Sequence, residues 1–184
     1  MISVGLDYLF FYNKNTGTAK VGEVKAGGNY VDITTILSGF SIGWSHIIGL
    51  TNGGLFFLDA HAGIGFAGRV DSSGYRSYAQ INGFSTNWTS LTSANGNVLF
   101  FYNAPAGVGA TALLDEFGTY VYIGLVRGGL PTGASHLTGA KNGTLFFLKN
   151  SNSTGATWFI NELGEARPVQ GLSGFGAWTM VTAG

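Results

Sequence analysis

Trp44-Ser45-His46-Ile47-Ile48-Gly49-Leu50-Thr51-Asn52-Gly53-Gly54-Leu55-Phe56-Phe57-Leu58-Asp59 is the stretch that decides the fold. Two short apolar runs flank Asn52-Gly53, a pair that accepts the positive φ of a tight hairpin turn. The second run is apolar at consecutive positions, so both faces of that strand are expected to be covered. Its Leu-Phe-Phe core recurs at 9–11, 55–57, 99–101 and 145–147, at spacings of 46, 44 and 46 residues. Trp44 and Trp88 stand eleven residues before the second and third copies; Ala134 takes that place before the fourth, and Trp178 opens a further one. Repeats of about 45 residues with four short strands each are the signature of propeller blades.

Working outward, strands are expected at 44–50, 55–59, 64–71 and 75–81, separated by Gly-bearing turns. A helical reading fails, because 31 glycines leave no sustained 3.6-residue stripe. The blades run 44–87, 88–133 and 134–177. Residues 178–184 together with 1–43 make the fourth, with 178–184 expected beside the strand containing Leu9–Tyr12. The chain 1–184 therefore reads as one all-β domain, a four-bladed β-propeller of sixteen strands. Its ring is closed by pairing of the N- and C-terminal segments, which leaves no bare edge. Small residues at Gly49, Ser93, Gly139 and Ala183, five positions after each Trp or Ala134, are expected where inner strands crowd together. A longer period of 90 residues is superimposed: Tyr12 matches Tyr102, His46 matches His136, and Leu58 matches Leu148.

Nine basic and nine acidic residues cancel, and charged residues are only 10% of the chain. That excludes a basic field for nucleic acid and a polybasic membrane surface. No Cys is present, so disulfides, thiolate metal sites and a Cys nucleophile are excluded. The first residues lack the basic-then-apolar pattern of a signal peptide, and no apolar run reaches membrane-spanning length. A soluble protein of unassigned compartment is expected.

The repeat resembles those of lectin propellers of the tachylectin type, on Gly43-Trp44, Ile47, Leu50, Gly53 and Leu55-Phe56. The resemblance implies a propeller with N-acetylated sugars between adjacent blades. That family has five blades where this chain offers four, and none of its sugar-contacting positions maps onto this sequence.

Candidate ligand-binding residues are the aromatics of the loop before each inner strand: Phe40 with Trp44, Phe84 with Trp88, and Phe175 with Trp178. In the remaining copy they become Leu130 and Ala134. Two readings stand open. The rings form stacking platforms for sugars, or they wedge between blades as core. Tyr30, Tyr75 and Tyr120, with Ala166 as their fourth counterpart, are expected to be exposed at the start of each outer strand. Asn13, Asp59, Asn103 and Lys149 share a register after Leu-Phe-Phe and read as turn caps. Arg69, Arg76, Arg127 and Arg167 share no register and read as solvated surface. His46 and His136 occupy one register and read as structural, and His61 stands apart. No catalytic residues, metal ligands or cofactor motifs are found. The expectation is a non-catalytic, multivalent carbohydrate-binding propeller with glycan partners and oligomerisation open; the alternative is a structural or assembly domain of a toxin, adhesin or fibre.

Overall fold

The computed structural model of the chain describes residues 1–126 and 129–179, and the backbone alone over 35–37. The described residues form four antiparallel sheets of four strands, each an up-and-down meander. The first holds β1 (Ile2–Val4), β2 (Tyr8–Asn13), β3 (Thr18–Val24) and β4 (Tyr30–Leu37). The second holds β5 (His46–Gly49), β6 (Gly54–Asp59), β7 (Ile64–Asp71) and β8 (Gly74–Asn82). The third holds β9 (Ser90–Ala94), β10 (Val98–Asn103), β11 (Val108–Leu114) and β12 (Tyr120–Val126). The fourth holds β13 (His136–Gly139), β14 (Thr144–Lys149), β15 (Thr154–Ile160) and β16 (Ala166–Ser173). Among the described residues there is no α-helix, only a 3₁₀ turn at Asn150–Asn152, and hence no helix long and apolar enough to cross a membrane. This is the expected all-β, sixteen-strand blade architecture of a propeller.

The local causes are those in the sequence. Gly53 takes φ +87° in the β5–β6 hairpin, and Asn52 Oδ1 accepts from Gly54 N at 2.9 Å. Asp59 Oδ1 accepts from the His61 and Ala62 amides, both at 3.0 Å, and Asn103 Oδ1 from Ala106 N at 3.2 Å. With Asn13, which accepts from Asn15 N at 3.0 Å, these are the expected turn caps; Lys149, the fourth of the register, makes no side-chain cap bond, because an ammonium has no acceptor for the turn amides. The hydroxyl after Trp44, Trp88 and Ala134 adds a repeated clamp. Ser45 Oγ donates to Leu58 O (2.8 Å) and accepts from Ala60 N (3.0 Å). Thr89 makes the same pair with Tyr102 O and Ala104 N, and Ser135 with Leu148 O and Asn150 N.

The structure differs from expectation at the inner edge of the first sheet. β1 supplies its fourth strand from the N-terminal segment, pairing Ile2 with Phe10, Ser3 with Leu9 and Val4 with Tyr8. A three-residue strand carrying no Trp marker was invisible to the repeat. The expected pairing of 178–184 beside this sheet falls mostly on residues outside the described ones, as does Ala183.

The chain divides into two compact units. The first, residues 1–86 and 114–120, carries the first two sheets. Its core joins Val4, Phe10, Ala19 and Val21 to Leu55, Phe57 and Val70. Phe10 meets Phe57 edge-on, with ring centroids 5.8 Å apart. The other face of β6 is covered by Tyr120, which stacks on Phe56 at 5.8 Å and 23°. All four residues of Leu55–Leu58 are at most 1% exposed, as two-sided burial requires. The second unit repeats the scheme, with Val98, Phe100 and Tyr102 against Leu145 and Phe147.

Inner strands approach closely, as expected for Gly49 and Gly139. A Cβ at Gly49 would lie 1.9 Å from Ser3 O, and one at Gly139 1.9 Å from Ser93 O. The tyrosines are a correction. Tyr75 lies over Gly68, where a Cβ would meet its ring at 2.5 Å, and Tyr120 is spent on Phe56; Tyr30 alone of the three is 44% exposed. In the fourth sheet the partners exchange size: Trp158, at the position of Gly68, is 5% exposed, and Ala166 replaces the tyrosine.

Candidate functional site

The first unit contains a cavity of about 520 Å³ between the 38–44 connection and the second sheet. Phe40, Trp44, Phe57, Phe66 and Tyr75 give it aromatic walls, and Ser41, Asp59, Ser77 and Gln80 add polar groups. β6 and β7 supply Phe57, Asp59 and Phe66, while Tyr75 and its neighbours come from β8. The connection is held in place by Phe40 N donating to Gly17 O and by Tyr12 Oη donating to Ser41 O.

The rings lean on one another. Phe40 lies 5.0 Å from Tyr75 and 5.9 Å from Phe57; Trp44 lies 5.5 Å from Phe57 and 6.4 Å from Phe66. Trp44 Nε1 is buried with no hydrogen-bond partner, a costly state that sets this indole apart from an ordinary core residue. Burial pushes the Tyr75 phenol above its ordinary range, so it stays a neutral hydroxyl. Among the described residues, Asp59 is the one charged side chain lining the cavity.

Of the six expected ligand-binding residues, the structure brings Phe40 and Trp44 into this cavity. Phe84 packs on Phe56 (5.6 Å) and Tyr120 (5.3 Å), Trp88 on Phe101 (5.7 Å), and Phe175 on Phe146 (5.5 Å). Trp178 is 55% exposed, its backbone held by the Asn150 side chain. Leu130, in the degenerate copy, is core. Sequence reasoning missed Phe66 and Gln80 and singled out Tyr75 only as an exposed residue, because only the pairing of β7 with β8 carries them to the loop aromatics. His46 and His136 each share a hydrogen bond with the preceding serine, at 2.9 and 3.1 Å. Arg69 donates to Glu116 O, Arg76 pairs with Asp71, and Arg167 lies over the Phe159 ring; Arg127 falls outside the described residues. No cluster of three metal-ligating side chains occurs among the described residues.

No protein-family model and no curated protein sequence matches the chain. Solved structures do. A candidate 6-phosphogluconolactonase from Bacteroides fragilis superposes with TM-score 0.65 at 12% identity, over 96% of this chain and 55% of its own. A second, from Bacteroides uniformis, gives 0.63 at 13%, over 93% and 52%. The periplasmic gluconolactonase of Pseudomonas aeruginosa gives 0.60 at 13%, over 93% and 52%. The chain thus spans about half the length of these structures. At such identity they show the fold, a β-propeller. They are named for lactonases and not for lectins, so the tachylectin resemblance reaches no further than the propeller. The expected carbohydrate-binding function, with its structural-domain alternative, is overturned: these structures are named for lactonases, none of the three for a lectin or an assembly domain. The physical reason lies in the aromatics: of the rings taken as stacking platforms, all but Trp178 pack against other rings.

Proposed function

We propose that the first unit binds a small organic cation, an ammonium group bearing apolar substituents. The observation that carries this is the cavity lining: five aromatic side chains with a single charged residue, the carboxylate of Asp59. Aromatic rings attract a cation through their quadrupole, by about 2 kcal/mol when it is desolvated. A carboxylate at the edge adds charge complementarity, and the volume suits a small ligand. An acceptor oxygen on the same molecule would take the unpaired Trp44 N–H. The lining offers no Lys, Arg or His to hold a phosphate, which argues against transferring the substrate in the names of the similar structures.

Calorimetric titration with choline and with its neutral isostere 3,3-dimethylbutan-1-ol tests the reading. Choline is expected to bind at least tenfold more tightly, and Asp59→Asn to remove most of that difference. Equal affinity for the two, or turnover of 6-phosphogluconolactone without any cation binding, would overturn it.

A further inference from the structure

The 38–44 connection, which walls the cavity of the first unit, is fastened twice. Its backbone bond, Phe40 N to Gly17 O at 3.1 Å, has counterparts elsewhere: Phe84 N donates to Gly63 O and Phe175 N to Ser153 O, both at 3.1 Å. The second fastening is the Tyr12 hydroxyl donating to Ser41 O. Leu58 and Leu148 hold the register of Tyr12 in the second and fourth sheets, and leucine has no hydroxyl to give.

Tyr12 is placed to act on the cavity without lining it. Its ring meets Phe40 at 6.3 Å and 70°, and Phe40 bears in turn on Tyr75 and Phe57, two other walls. Ser41, whose carbonyl takes the phenol proton, lines the cavity, and its Oγ accepts from Gly43 N at 3.1 Å. Gly43 abuts the carboxylate: a Cβ there would lie 2.8 Å from Asp59 Oδ2. One hydrogen bond therefore holds the aromatic wall on one side of Ser41 and the backbone beside Asp59 on the other. At Gly39 there is no comparable hold, since nothing lies within 4 Å of a Cβ built there.

The second unit repeats the tyrosine bond without the site. Tyr102 Oη donates to Pro131 O, but Leu130 stands in the place of Phe40 and is core, and Lys149 stands in the place of Asp59.

We propose that Tyr12 is a positioning residue of the cation cavity, its hydroxyl latching the 38–44 connection in the arrangement that binds ligand. The ligand's chemistry rests on the cation reading above; the latch rests on the hydrogen bond alone. Breaking the latch lifts Phe40 and Ser41 from the second sheet, so it lowers affinity mainly by speeding release.

Tyr12→Phe keeps the ring on Phe40 and removes only the hydroxyl, and Tyr102→Phe is the matched control in the second unit. Two measurements on the 184-residue chain decide: choline titration, and hydrogen exchange of the Phe40 and Gly43 amides by NMR. Tyr12→Phe is expected to bind choline about three- to tenfold more weakly, the loss of one hydrogen bond, and to exchange both amides faster. Tyr102→Phe is expected to melt at a temperature at least as far lowered while leaving affinity and both amides unchanged, so that lost stability by itself does not account for the effect. Unchanged exchange at Phe40 and Gly43 in Tyr12→Phe overturns the latch. So does an equal loss of choline affinity in the two variants, or faster exchange with unchanged affinity. Should the unsubstituted protein bind no choline, the cation reading falls and the exchange of the two amides still decides the latch.

Discussion

Gly139→Ala probes the seam between inner strands most directly. Gly139 has no positive φ, so alanine brings no backbone strain there. The added Cβ would lie 1.9 Å from Ser93 O, while real Cβ atoms keep at least 3.0 Å from such a neighbour. β9 and β13 must therefore separate by about 1 Å. That movement also loads two hydrogen bonds on the seam, Gly139 N to Thr92 Oγ1 at 3.0 Å and Asn95 N to Ala140 O at 3.4 Å. Overpacking costs about 1–3 kcal/mol and a weakened hydrogen bond about 1 kcal/mol more. The sum is about 2–4 kcal/mol, or roughly 4–16 °C in melting temperature for a chain of this size. The matched control is Gly171→Ala in β16, where nothing lies within 4 Å of the new Cβ and φ is ordinary. It is expected to be neutral or to stabilise by up to about 1 kcal/mol. Thermal and urea unfolding of the two variants decides the matter. If Gly139→Ala melts within 2 °C of Gly171→Ala, close approach of the inner strands is not what demands glycine.

Two further outcomes are expected. Tyr75→Ala should cost about 2–4 kcal/mol through the space left over Gly68, and Gly68→Trp alone should be worse. The double variant copies the Trp158 and Ala166 arrangement of the fourth sheet. It should recover more than half the loss, seen as a coupling above about 1 kcal/mol in a double-mutant cycle; additive losses would refute the exchange of sizes. Asp71 is held down to about 2 by the Ser73 hydroxyl and the Arg76 guanidinium. Its folded value lies below the unfolded 3.8, so its contribution is present above pH 4 and is lost as pH falls toward 2. Arg76 is largely exposed, so screening keeps the contribution under about 1 kcal/mol, and Asp71→Asn should flatten the acid limb of the stability curve by no more than that.

The recurrence of Leu-Phe-Phe determined the strand type, the number of sheets and, in the second sheet, the bounds of its four strands to within two residues, because hairpin turns and two-sided burial are set by neighbours a few residues apart. Gly49 and Gly139 were legible for the same reason: a small residue at a fixed register marks a place where backbones meet. The candidate site was half legible. Phe40 and Trp44 announced themselves by repetition, but Phe66, Tyr75 and Asp59 join them only through strand pairing. Whether a repeated aromatic is core or site was decided by tertiary structure alone. Phe84 and Phe40 share a register, yet one is spent against Tyr120 and the other borders a cavity. Burial belongs to a pair of surfaces and cannot be written into either one.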